Sequence, residues 1–97
     1  MANAVTDTVF FTVTVRSRNR GDHWFSQTVE TGLIAYGDTQ EEAEQKNAEA
    51  NRKLVRWAKG QGRAALDRFM EERGLSYTLD GVQTAPSASV EQQPLAA

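Results

Sequence analysis

The sequence predicts an α+β fold: a three-stranded antiparallel meander followed by two helices and a final strand. Three observations carry that reading. Residues Val9 to Arg16 (VFFTVTVR) alternate, with Val9, Phe11, Val13 and Val15 on one side and Phe10, Thr12, Thr14 and Arg16 on the other. That is the period of two of a half-buried strand made from β-branched and aromatic residues. Gly37 to Ala43 (GDTQEEA) closes an apolar run and opens an acidic helical stretch, and two segments of helical periodicity then flank Gly60-Gln61-Gly62.

Taken in order, Ser17 to Asp22 (SRNRGD) has the Gly, Asn and Asp chemistry of a turn, and His23 to Glu30 (HWFSQTVE) supplies a second strand. Beyond the Thr31-Gly32 break, Leu33 to Tyr36 reads as a third strand that Gly37 ends. Asp38 and Thr39 stand where a helix begins, because a short side-chain oxygen accepts a hydrogen bond from a first-turn amide that has no other partner. Thr39 with Glu42 matches a capping box. Glu41, Glu42 and Glu44 face the positive end of the helix dipole, and Arg52, Lys53, Arg56 and Lys59 its negative end. Glu42 with Lys46 and Glu49 with Lys53 add pairs four residues apart. The helix is expected to run to Lys59, with an inner stripe of Ala43, Asn47, Ala50, Leu54, Trp57 and Ala58.

The second helix has Ala65, Leu66, Phe69 and Met70 on its apolar side and stops at Gly74. Leu75 to Leu79 (LSYTL) alternates like a final strand. From Gln83 onward Pro, Ser, Gln and Ala dominate without periodicity, the composition of a flexible tail. The expected organisation is a flexible N-terminus over 1–8, one α+β domain over 9–82 and a disordered tail over 83–97.

With 97 residues, of which 39% are hydrophobic and 25% charged, the chain is sized for one core. The sequence contains no cysteine, so disulfides, thiolate zinc sites and cysteine nucleophiles are excluded. That fits a reducing compartment. Met1 to Thr8 lacks a basic start followed by an apolar run, and no stretch approaches the roughly 18 apolar residues of a membrane span. A cytoplasmic protein with no membrane partner is expected. The net charge of −2 means that any nucleic-acid role requires a local basic patch.

No catalytic constellation emerges, and the expectation is a protein that is not an enzyme, with no catalytic, cofactor-binding or metal-binding residue. His23, the single histidine, sits beside Trp24 with neither a second histidine for a metal nor the surroundings of a triad. Asp22, Glu30 and Asp38 lie near strand ends, a placement that would suit an acidic metal site of the ribonuclease type if they converged; turns and caps account for such acids more simply. Gly32 and Gly37 bracket a strand without the lysine and hydroxyl residue of a phosphate loop. Arg16, Arg18 and Arg20 form one basic cluster, and Arg52, Lys53, Arg56, Lys59 and Arg63 another. If they converge beside Trp24 or Trp57 they contact RNA; otherwise they are a solvated face and dipole compensation. Trp24, Phe25, Trp57 and Phe69 serve the core or an interface, and Asn47 bonds a sheet edge, sets register in a helix pair or faces solvent. Helices on one face leave the sheet's other face and one edge open, which predicts a homodimer.

The run WFSQTVETGLIAYGDTQEEAEQKNAEA, Trp24 to Ala50, resembles the N-terminal domain of HicB-type antitoxins and their stand-alone relatives. The matching positions are Gly37, Asp38, Thr39, Glu41, Glu42 and Ala43. Leu66 to Leu79 is similar to the helix-strand ending of stand-alone members. The resemblance implies a partial ribonuclease-H-like or double-stranded-RNA-binding-domain-like fold. In antitoxin members this domain binds a small ribonuclease toxin, HicA, and a separate C-terminal domain binds operator DNA. Here Thr28 to Leu33 (TVETGL) replaces the usual Pro-Asp-Leu-Pro-Gly-like segment, and no DNA-binding domain is expected after Leu79. The implied function is a non-enzymatic protein-binding module, antitoxin-like, with Trp24, Phe25, Asn47 and Trp57 as interface candidates. The alternatives are an RNA-binding module using Arg16, Arg18, Arg20, Arg52 and Arg56, or an orphan structural homodimer.

Overall fold

The computed structural model describes residues 3–79 and 91–97. Its elements are β1 (Phe10–Asn19), β2 (Trp24–Thr28), β3 (Ile34–Gly37), α1 (Gln40–Gly60), α2 (Arg63–Glu72), β4 (Tyr77–Thr78) and β5 (Gln92–Ala96). The expected α+β meander with two following helices is present.

β1 organises the sheet because it is long enough to serve three neighbours. Val15–Asn19 pairs with β2, Phe10–Thr14 with β5, and Phe10–Phe11 with the short β4, all antiparallel. β2 in turn pairs with β3. The first turn is tighter than its composition predicts. β1 continues through Asn19, whose side-chain oxygen accepts from the Gly21 amide (2.7 Å), and Arg20 N–H bonds the His23 carbonyl (2.8 Å).

The alternation of β1 places Val9, Phe11, Val13 and Val15 in the core. Ala48, Val55 and Ala58 of α1 and Leu66, Phe69 and Met70 of α2 close over them, joined by Leu75, Leu95 and Ala97. Burial of each large side chain contributes about 1.5–3 kcal/mol. The α1 stripe differs from the expected one at its end: Val55 is buried, whereas Trp57 is 63% exposed. At about 100° per residue, Ala48, Asn51 and Val55 lie on one flank of the Ala43–Asn47 line and Trp57 on the other, so the buried side is rotated away from Trp57.

Two expectations about the ends require correction. The disordered tail expected over 83–97 is a strand in its last part: Gln92–Ala96 forms β5, and Leu95 and Ala97 are buried. Cross-strand bonds between Val9 and Ala97 (2.6 and 2.8 Å) extend the pairing. The domain boundary expected at 82–83 lies outside the described residues. At the other end, where a flexible 1–8 segment is expected, Val5 packs against the core and its amide bonds the Lys59 carbonyl at 2.8 Å. The Lys59 ammonium reaches the Asp7 (2.9 Å) and Ala97 (3.2 Å) carbonyls, so both ends are tied to the last turn of α1.

Candidate binding face

The segment that opens α1 is a structural joint. Thr39 is the N-cap, its hydroxyl accepting from the Glu42 amide at 3.1 Å. Only this half of the capping box forms between the two residues, because the Glu42 carboxylate is drawn to Lys46 (3.0 Å). The Lys46 bond and charge hold the Glu42 carboxyl below the usual carboxylate range, with a smaller contribution from the backbone at Asp38. Gly37 and Ala43 are both buried, and a Cβ on Gly37 would lie 2.6 Å from the Ala43 nitrogen. Gly37, Asp38, Thr39, Glu42 and Ala43 thus let the helix start directly against the strand.

Asn47 fastens the helix further along. Fully buried, it donates to the carbonyls of Ser26 (3.1 Å) and Leu33 (2.8 Å), and its side-chain oxygen accepts from the Thr28 hydroxyl and from Asn51 Nδ2 (2.9 Å). Of the readings open for Asn47, bonding to the sheet is the one found. It is an interior residue of this chain rather than an interface residue. Its partner Asn51 also receives the Thr31 hydroxyl (2.8 Å) and was not signalled by the sequence, since an asparagine four residues on is equally at home in solvent.

With α1 covering one side, the other face of β1–β3 is uncovered, and register fixes what it carries. Arg18 lies opposite Phe25 and Phe25 opposite Tyr36; Arg16 lies opposite Gln27 and Gln27 opposite Ile34. Facing pairs share a side of a sheet, so these residues form two adjacent rows. Tyr36 is 55% exposed and Ile34 47%. The Phe25 and Tyr36 rings meet edge-on with centroids 5.8 Å apart, His23 lies 5.4 Å from Tyr36, and the Arg20 guanidinium sits 5.2 Å over Phe25. Trp24, opposite Asn19 and Gly37, belongs to the other side. Tyr36 and His23 were missed as members of this face. Extending the alternation of β1 by two residues is the signal that joins Arg18 to Phe25.

The two basic clusters do not converge. Arg52 and Arg56 are on α1, across the sheet from this face, and both bond Glu49 (3.5 and 3.3 Å). The expected Glu49–Lys53 pair is replaced by these contacts. Trp57 instead borders an open groove between α1 and α2 with Arg68, Phe69 and Arg73, the Arg73 guanidinium lying 3.9 Å over the Phe69 ring.

The acids weighed for chemistry are engaged separately. Glu30 accepts from the Thr14 amide (2.8 Å) and hydroxyl (2.9 Å). Asp22 lies 2.6 Å from His23 Nδ1, and that bond holds its carboxyl below the ordinary range. Among the described residues no three His, Asp or Glu side chains are placed to hold a metal, and no helix is long and apolar enough to cross a membrane.

No protein-family model, curated protein or solved structure matches the chain. The HicB-like resemblance therefore rests on the residues of Trp24 to Ala50 themselves.

Proposed function

We propose that the chain is a non-enzymatic, HicB-like protein-binding module that receives a strand of its partner along β3. The observation that carries this reading is the direction of the β3 backbone. The Thr28 amide bonds the Leu33 carbonyl (2.9 Å), and in an antiparallel ladder facing pairs alternate between bonded and non-bonded. Ala35 and Gly37 therefore bond β2, while the N–H and C=O groups of Ile34 and Tyr36 point to the free edge. Among the described residues, β3 pairs with β2 alone. Edge strands are usually guarded by a charge, a proline or a bulge; Ile34–Gly37 (IAYG) has neither charge nor proline. An apolar edge of this kind suits strand addition, in which main-chain bonds give affinity and alternate side chains give selectivity.

A small ribonuclease toxin is the concrete partner that the resemblance suggests, and a cytoplasmic setting belongs to the same reading. The test is co-purification of the tagged chain from its source cells with mass spectrometry, followed by Ile34→Pro. That substitution removes an edge N–H while sparing the bonds to β2. Loss of a reproducible protein partner in Ile34→Pro, with retention in Trp57→Ala, supports the assignment; equal retention in both sinks it. The same edge gives the homodimer reading its basis, with two copies pairing β3 to β3. Sedimentation of the pure chain decides between the occupants: a 10.7 kDa species leaves the edge for a different protein, and a dimer dissociated by Ile34→Pro assigns it to a second copy.

A further inference from the structure

The uncovered face of β1–β3 has a chemistry that strand addition at its edge does not use. Arg16, Arg18 and Arg20 carry three positive charges, and none of them makes an ion pair among the described residues, although six other basic or histidine side chains do. Of the carboxylates that bond residues of this region, Asp22 and Glu30 are held by His23 and Thr14, and Glu44 by the Ser17 hydroxyl on the helix side of the sheet. In a chain of net charge −2, this is a local concentration of three positive charges at one end of the sheet. Beside the guanidinium groups lie the planes of Phe25, Tyr36 and His23, with Tyr36 the most exposed of the exposed aromatic residues on the sheet.

Phosphates are met by arginine, and unstacked bases by aromatic faces. From this juxtaposition we infer that the outer face of β1, β2 and β3 binds single-stranded nucleic acid. Tyr36 and Phe25 stack bases, and Arg16, Arg18 and Arg20 neutralise the backbone. A duplex does not satisfy the surface, because its bases are stacked on one another and closed to Tyr36. Three strands spaced about 4.8 Å apart give a platform for about two or three bases, as on other aromatic-bearing sheets. This inference does not depend on the β3 edge, since it concerns side chains of the face rather than the free backbone groups.

The experiment is fluorescence anisotropy with the purified full chain and labelled oligonucleotides of about twelve nucleotides, as single-stranded RNA, single-stranded DNA and duplex RNA. Single strands are expected to bind at ~50 mM salt, with a log–log salt slope near −2 for three neutralised phosphates. Tyr36→Ala is expected to weaken binding at least about tenfold through loss of one stacked base. Each of Arg16→Gln and Arg18→Gln should bring the slope about 0.7 closer to zero. Arg52→Gln and Arg56→Gln should leave affinity unchanged. A preference of RNA over DNA names the source of the ligand, and equal affinity extends the site to both. Absence of single-strand binding, duplex preference, or equal loss in the Arg52 and Arg56 variants overturns the inference. These side chains are exposed or make few contacts, and circular dichroism confirms folding of each variant.

Discussion

The Asn47 amide nitrogen donates to the Leu33 carbonyl at 2.8 Å, tying the middle of α1 to the entrance of β3. The same nitrogen reaches Ser26 of β2, and the side-chain oxygen is shared by Thr28 and Asn51. One side chain thus fixes the height of a helix above two strands. Asn47→Ala should remove one hydrogen bond from each of four groups, three of which keep another partner, at a cost of about 2–4 kcal/mol. Urea unfolding should show a lower midpoint with an unchanged slope.

Ser26 makes the opposite prediction. Its hydroxyl is buried beside this network without a hydrogen-bond partner among the described residues. Replacing an unsatisfied group by an apolar one of nearly the same shape removes a desolvation cost. Ser26→Ala should raise stability by up to about 1 kcal/mol, read as an increase in melting temperature.

Gly37 is set by steric demand alone, since its φ is not in the left-handed region. An added methyl would meet the Ala43 nitrogen at 2.6 Å and the Glu42 Cβ at 2.9 Å, both on the first turn of α1. Gly37→Ala should cost about 1–3 kcal/mol, the range of overpacking in a well-filled interior. Gly60, at the end of the same helix with nothing within 4 Å of an added methyl, is the control: Gly60→Ala should be neutral or stabilising by up to about 1 kcal/mol. Thermal melts of the two variants should move in opposite directions or differ by several degrees.

How much of this was legible in the sequence depends on whether a residue acts within its own element. The alternation of Val9 to Val15 and the cap at Thr39 are local, and both appear in the structure as read. The Gly37–Ala43 close approach is also sequence-local, although glycine alone does not tell whether a turn or a contact requires it. Asn47 was legible only as a set of alternatives, because its partners on the sheet side lie 14 to 21 residues away. The outer face needed the pairing of three strands: Arg18, Phe25 and Tyr36 become neighbours only through register. Trp57 was misplaced because the sequence does not tell which flank of the Ala43–Asn47 line the sheet covers, and the covered flank is that of Ala48, Asn51 and Val55.

Asp67, Tyr77 and Arg63 couple α2 to β4 in a pH-dependent way. The Tyr77 hydroxyl bonds the Asp67 carboxylate, which also meets Arg63 Nε at 3.4 Å. The Tyr77 bond, followed by Arg63, holds the Asp67 carboxyl below the usual range, and burial together with Asp67 pushes the Tyr77 phenol up. For the depressed Asp67, stability is present above the ordinary carboxylate range and is lost as pH falls through the lowered value. For the raised Tyr77, stability is present below the ordinary tyrosine range and is lost as pH rises through the raised value. The difference in melting temperature between the native chain and Tyr77→Phe should therefore be widest near neutrality and narrow toward about pH 3 and about pH 11. A difference constant across that span would show that the bond contributes nothing pH-linked.

β5 gives the sharpest test of where composition misled. Gln92-Gln93-Pro94-Leu95-Ala96 has one large apolar residue, and a proline ordinarily argues against a strand. The proline is accommodated at an exposed position opposite Thr12, while the residue after it decides the packing: Leu95 faces Phe11 and is 2% exposed within the core. No periodicity can announce a strand whose burial depends on a single side chain and whose partners lie 78 to 86 positions earlier in the chain. Leu95→Ala should cost about 2–4 kcal/mol, the range for deleting a buried leucine, and should expose the N-terminal half of β1 to hydrogen exchange. Because Lys59 binds the carbonyls of Asp7 and Ala97, exchange of the Val5 amide should accelerate in the same variant. Were the last residues a free tail, Leu95→Ala would leave both the melting temperature and the protection of Phe11 and Val13 unaltered.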